Sequence, residues 1–143
     1  MPEAWRLLLA FDFGLKRIGV ATANVHTRTA SPLTTLSADD APPWQDIDAL
    51  IAEWQPDLIV IGDPGPDANP GLRKALDAFV GALDERYSIP VSSVDESFTS
   101  SAAEAELRAD RRKGIYNQRL RREQIDQQAA CLIAEQWMNQ AVE

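Results

Sequence analysis

The sequence predicts a mixed five-stranded α/β sheet, a three-stranded antiparallel meander passing into parallel strands, flanked by helices on both faces. Three observations predict it. Two continuous apolar runs, residues 7–11 and 58–61, have strand length and the character of strands buried on both faces. The first run is joined by a short turn to a second strand candidate, as in a hairpin. Helical-period stretches then alternate with the later strands, as right-handed crossovers between parallel strands require.

Taken in order, Leu7-Leu8-Leu9-Ala10-Phe11 forms the central strand, Gly14-Leu15-Lys16 supplies a turn, and Ile18-Gly19-Val20-Ala21-Thr22 returns beside it. Residues 30–36 form a third strand, and Pro32 within it points to a sheet edge or a bulge. Ile47, Leu50, Ile51 and Trp54 recur at helical spacing until Gln55-Pro56-Asp57 ends the helix. Leu58-Ile59-Val60-Ile61 is the fourth strand, and residues 63–71, rich in Pro, Gly, Asp and Asn, read as a loop. Leu72, Ala75, Leu76, Phe79, Val80 and Leu83 place one apolar stripe on a second helix. Residues 90–94 make a fifth, more polar strand. Thr99 or Ser101, the latter with Glu104 in capping-box register, opens a further helix. Ile125, Ala129, Leu132 and Ile133 line a last one. With no internal repeat or linker, residues 1–143 are expected to form a single domain.

Composition narrows the function classes. The chain is 45% hydrophobic and 25% charged, as folded soluble proteins are. No apolar run approaches the ~20 residues of a membrane span, and the first residues lack the pattern of a secretory signal, so a cytoplasmic protein with no membrane partner is expected. Cys131, the single cysteine, sits among Ala129, Ala130, Leu132 and Ile133 and is expected to be buried packing. A net charge of −8 argues on average against nucleic-acid binding. Its distribution argues otherwise. Arg108, Arg111, Arg112, Lys113, Arg119, Arg121 and Arg122 are seven of the 14 basic residues, and only Asp110 opposes them within that stretch. Such a run is ordinarily a solvated face, but this one leads directly into an acidic position.

The chemistry lies in the acids. Asp12 ends the first strand, Asp95 and Glu96 end the fifth, and Asp126 borders the packed stripe of the last helix. Taken singly, each is explained by a turn, a cap or a solvent margin. Taken together, carboxylates at the carboxyl ends of strands with another descending from a helix occupy the place where α/β sheets build their sites. Gathered at one point they would repel unless a divalent cation neutralised them, which implies Mg2+ or Mn2+ and phosphodiester hydrolysis. His26, the sole histidine, sits in a turn away from these acids, and the 63–71 loop lacks the lysine of a phosphate-binding loop, so neither a nucleophilic triad nor a P-loop is built.

Phe11-Asp12-Phe13-Gly14-Leu15-Lys16-Arg17-Ile18-Gly19-Val20-Ala21, then Thr29-Ala30-Ser31-Pro32-Leu33, Asp95-Glu96 with Thr99, and Asp126-Gln127-Gln128-Ala129-Ala130 together resemble the YqgF family, the Holliday-junction-resolvase-like proteins also called RuvX. Order and spacing match over nearly the whole chain. The resemblance implies an RNase H-like fold and a nuclease role at the 5′ end of precursor 16S ribosomal RNA. It also places Asp12, Glu96 and Asp126 on the family's acidic triad, as catalytic residues and metal ligands. Two departures stand out. Ser97 follows Asp95-Glu96 where the family has arginine, which removes a cation and predicts weakened activity. Gly62-Asp63-Pro64 replaces Gly-Leu-Pro, so Asp63 is either a fourth metal-proximal acid or a loop residue.

Lys16, Arg17, Arg111, Arg112, Lys113, Arg119, Arg121 and Arg122 are the cations expected to hold a phosphate backbone beside the acids, and Tyr116 is placed either to stack on a base or to anchor the basic loop. The expected partner is RNA, precursor 16S rRNA with ribosome association, ahead of structured DNA, and the protein is expected to be a monomer or weak homodimer. Alternatives are an RNA- or ribosome-binding protein with little catalysis, a Holliday-junction resolvase-like DNA nuclease, and a nucleotide-binding enzyme of the actin/sugar-kinase type. That last fold needs two such units.

Overall fold

The computed structural model describes residues 5–39, 41–95 and 118–141, except for the side chains of 118–121 and 141. In chain order they form β1 (Leu7–Phe13), β2 (Arg17–Asn24), β3 (Thr29–Ser37), α1 (Trp44–Trp54), β4 (Leu58–Asp63), α2 (Pro70–Arg86), β5 (Val91–Asp95) and α3 (Gln118–Ala141). The sheet has five strands in the order β3-β2-β1-β4-β5. β1 pairs antiparallel with β2 and parallel with β4, β2 pairs antiparallel with β3, and β4 pairs parallel with β5. This is the mixed sheet the sequence predicts. The helix expected after Thr99 or Ser101 lies outside the described residues.

Strand parity sorts the core into two layers. Leu8, Ala10, Ala21, Ala23, Leu58, Val60 and Val94 pack against Ala130, Ile133, Ala134 and Met138 of α3. Leu9, Phe11, Ile18, Val20, Ile59 and Ile61 face Ile47 of α1 and Leu76, Phe79 and Leu83 of α2. The α1 and α2 layer is held by aromatic stacking, with Phe79 between Phe13 at 4.7 Å and Trp44 at 5.4 Å. Cys131 is buried in the α3 layer, as expected, and burial pushes its thiol up to about 11.

Three sequence expectations shift. β1 runs on through Asp12 and Phe13, because Asp12 pairs with Gly19 and Phe13 with Ile18. α2 starts at Pro70, inside the expected loop: Asn69 Oδ1 accepts from the amides of Gly71 and Leu72 at 2.8 and 3.2 Å, and proline is favoured at a helix's first position. Ile125 and Leu132 are only half-buried, and the buried stripe of α3 instead runs through Ala129, Ala130, Ile133, Ala134 and Met138. The three alanines let this helix lie close on the sheet. Pro32 falls on the edge strand and at the one irregularity of the β2–β3 register, where its missing N–H removes no interior ladder bond.

α3 crosses the sheet and is tied at both ends. Thr35 Oγ1 of β3 donates to the carbonyl oxygen of Glu123 at 3.0 Å, and Gln127 Nε2 donates to Thr35 Oγ1 at 3.2 Å. At the other end, Trp137 Nε1 donates to Ser92 Oγ and Gln136 Nε2 to the carbonyl of Asp95. Among the described residues, no helix is long and apolar enough to cross a membrane.

Candidate active site

Parity places Asp12 on the face of Leu8 and Ala10, toward α3, while Phe11 and Phe13 face α2. Its partner across the ladder is Gly19, which shares that face. A Cβ built on Gly19 would lie 2.0 Å from the carbonyl oxygen of Asp126 and 2.9 Å from its Cβ, so only glycine lets α3 come this near. This approach carries Asp126 to the end of β1. Asp12 and Asp126 line one open cavity of about 390 Å3, together with Lys16, Arg17, Asn69 and Leu72.

The Asp126 side chain is 15% exposed and receives a hydrogen bond from Arg17 Nε at 2.7 Å. Burial raises its carboxyl above the ordinary value; the Arg17 guanidinium works against that rise, and Glu123 nearby adds to it. This is a carboxylate short of solvent, which favours a cation beside it. Lys16 is exposed on the turn between β1 and β2.

The structure thus brings Asp12, Asp126, Lys16 and Arg17 together. Arg122 is exposed one helical turn before Asp126, and Arg119 and Arg121 lie at the start of α3 without described side chains. Glu96, Ser97, Arg111, Arg112, Lys113 and Tyr116 lie outside the described residues. Asp63 is neither a loop residue nor a member of the cavity. It ends β4 on the opposite parity, where Arg73 Nη1 of α2 donates to it at 2.6 Å and the Gly65 amide at 2.8 Å. Arg73 above all holds the Asp63 carboxyl below its usual range. His26 is exposed in the β2–β3 turn, where its amide donates to Asn24 Oδ1.

Sequence reasoning missed Asn69, Leu72 and the contact role of Gly19. Asparagine before proline is a signal that could have placed the helix start at Pro70 rather than after the 63–71 loop, but nothing local says that this start borders the acids. A second cavity, about 370 Å3 between Phe13, Trp44 and Phe79, has Asp39 as the one carboxylate among the described residues of its lining and offers little for phosphodiester chemistry.

The mixed five-stranded sheet in the order β3-β2-β1-β4-β5, covered by helices on both faces, is an RNase H-like fold shared with solved resolvases. The RuvC of T. thermophilus in complex with Holliday junction substrate superposes with a TM-score of 0.56 at 15% identity, covering 96% of each chain. The fowlpox virus resolvase in complex with substrate Holliday junction DNA gives 0.58 at 13% identity, covering 96% of this chain and 99% of that one. At such identities the likeness concerns the fold. Within this class the chain belongs to the RuvX family, described as Holliday junction resolvase, whose model matches residues 6–140. Proteins named "Putative pre-16S rRNA nuclease" from Marinobacter nauticus and Haemophilus ducreyi are 40% and 38% identical to it, over 96% and 92% of this chain and 96% and 95% of their own.

Proposed function

We propose that this chain is a divalent-metal-dependent nuclease that hydrolyses phosphodiester bonds at the 5′ end of precursor 16S ribosomal RNA. We place it in the cytoplasm, as a single domain over residues 1–143 acting as a monomer or weak homodimer. The observation that carries the reading is the convergence of Asp12 and Asp126, from the two ends of the chain, on one cavity that also holds Lys16 and Arg17. The names of the curated relatives support RNA as the substrate.

The donor set fits a hard cation: both carboxylates offer oxygen, and neither cysteine nor histidine borders the cavity. Among the described residues no group of three acids, histidines or cysteines is close enough to hold a metal; we assign the third position to Glu96 because the family resemblance sets it on the acidic triad with Asp12 and Asp126. A bound Mg2+ or Mn2+ would supply activation of the attacking water and neutralisation of charge at the phosphate. In this reading Asp12, Glu96 and Asp126 hold the ion. Lys16 and Arg17 hold the phosphate at the cavity, and Arg111, Arg112, Lys113, Arg119, Arg121 and Arg122 hold the strand beyond it. The basic stretch thereby offsets a net charge of −8 where the substrate must lie.

The test is a Mg2+ and Mn2+ titration of cleavage on single-stranded RNA, precursor ribosomal RNA and four-way DNA junctions, with Asp12→Asn alongside. Metal-dependent cleavage of the precursor, lost in the variant, is expected. Cleavage that survives in Asp12→Asn overturns the assignment. Salt-dependent RNA binding with no turnover under any divalent ion would favour a binding protein, in line with Ser97.

A further inference from the structure

We propose that Arg17 is an exchangeable counter-ion. It neutralises Asp126 while the acidic site holds no metal, and yields that carboxylate to the incoming cation so that its guanidinium can engage a phosphate of the strand in the same cavity. The inference rests on the metal-dependent reading above and adds to it a coupling between cation and phosphate.

Three observations carry it. First, the Arg17 contact occupies one oxygen of the carboxylate that a cation would share with Asp12. Nε lies 2.7 Å from Asp126 Oδ2, and the Asp126 side chain is only 15% exposed, so metal and guanidinium compete for a carboxylate that solvent barely reaches. Second, the contact is made through Nε rather than through the two-pronged fork of a permanent arginine–carboxylate pair, and the Arg17 side chain remains 37% exposed at the cavity wall. Third, the backbone beneath Arg17 is fixed by the sheet, whereas the guanidinium reaches Asp126 at the end of a rotatable side chain. Arg17 pairs with Ser37 in the sheet, and the amide of Ala38 donates to the Lys16 carbonyl at 2.8 Å. A rotation of the side chain thus moves the guanidinium across the cavity without moving a strand.

The consequence follows from charge. A doubly positive ion held by Asp12 and Asp126 would repel the guanidinium it displaced, and a negative phosphate bound in the same cavity would attract it. Metal binding should therefore strengthen phosphate binding through Arg17, and by reciprocity phosphate should strengthen metal binding. In a purely structural role, or as a phosphate clamp independent of the metal, Arg17 would show no such coupling. The signature of Arg17 is therefore in binding rather than in turnover.

The experiment measures Mn2+ binding to the full chain, without nucleic acid, by the loss of the free-ion EPR signal. It compares wild type, Arg17→Gln, Arg17→Lys, Arg28→Gln and Asp12→Asn, and thermal melting confirms that each is folded. Arg17→Gln is expected to bind Mn2+ about fivefold or more tightly, because the competitor is gone. Arg17→Lys, which keeps the charge, returns toward wild type, and Arg28→Gln, exposed in the β2–β3 turn at the far end of the strand, stays close to it. Affinity for a fluorescein-labelled single-stranded RNA should rise when Mn2+ is added to wild type, and the rise should shrink in Arg17→Gln. Equal or weaker Mn2+ binding by Arg17→Gln, with binding still lost in Asp12→Asn, overturns the exchange and leaves the metal site standing. Mn2+ binding that Asp12→Asn does not alter removes both.

Discussion

The carbonyl oxygen of Asp126 rests against Gly19 so closely that a methyl group there would lie 2.0 Å away. Gly19 is also the ladder partner of Asp12, so one residue without a side chain sets the distance between the strand acid and the helix acid. Gly19→Ala is therefore expected to push α3 off the sheet, because the atoms met are backbone and cannot rotate aside. The expected cost is about 2 kcal/mol or more, with loss of cleavage, read by thermal melting and a cleavage assay on the same preparation. A variant as stable and active as the parent would show that the helix does not need this contact.

Asp12→Asn should leave the fold intact, since Asp12 is half-buried beside an open cavity and the amide is isosteric. Cleavage should fall by at least about 100-fold, in keeping with the several kcal/mol a catalytic cation contributes. Circular dichroism with a single-turnover assay checks both halves.

Lys16→Gln and Arg122→Gln, both at exposed positions, should weaken RNA binding across sequences and lower the slope of log affinity against log salt by about 0.7 each for single strands. Anisotropy titrations across a salt series measure the slope. An unchanged slope would remove that residue from the strand-holding surface.

Asp57 gives a stability prediction with a definite sign. Its Oδ2 accepts from the amides of Arg6 at 2.8 Å and Leu7 at 3.1 Å, stapling the start of β1 to the start of β4. These bonds, Arg6 first, hold its carboxyl below the usual range. The stabilisation is fully present above the unfolded value of about 3.9 and is lost as pH falls through the lower folded value. Asp57→Ala should cost about 1–2 kcal/mol at neutral pH and less in acid, where the parent loses the same contribution. Urea melts at several pH values read the difference, and a cost that grew in acid would contradict it.

Phe79, buried between Phe13 and Trp44, anchors the other layer. Phe79→Ala should destabilise by about 3–5 kcal/mol. Cation affinity at the acidic cavity should hold wherever the variant remains folded, because Phe79 does not line that cavity. Melting and Mn2+ titration separate the two effects.

Much of this could be read from residue order alone. Continuous apolar runs announced β1 and β4, a 3.6-residue period announced α1 and α2, and Pro32 announced an edge, because each signal is local and survives whatever the rest of the chain does. The stripe of α3 was misjudged by about one residue position: spacing marks a helix's apolar side, but the depth of each residue depends on how closely the helix lies on the sheet. The acids were legible as candidates from their places at strand ends and beside a packed stripe. That Asp12 and Asp126 belong together was implied by the family resemblance, whereas position at a strand end does not by itself say so. Asp63 carries the same signature as Asp12, a carboxylate ending an apolar strand, yet strand parity turns it toward α2 and Arg73, while Asp12 turns toward α3. Arg17 was legible as a cation beside an acid, and only the descent of α3 onto Gly19 makes Asp126 the carboxylate it meets. Residue order determined the elements, the faces and the chemical types available. The packing of one helix across the sheet decided which charges meet, because electrostatic partnership depends on distances of a few ångströms between residues far apart in the chain.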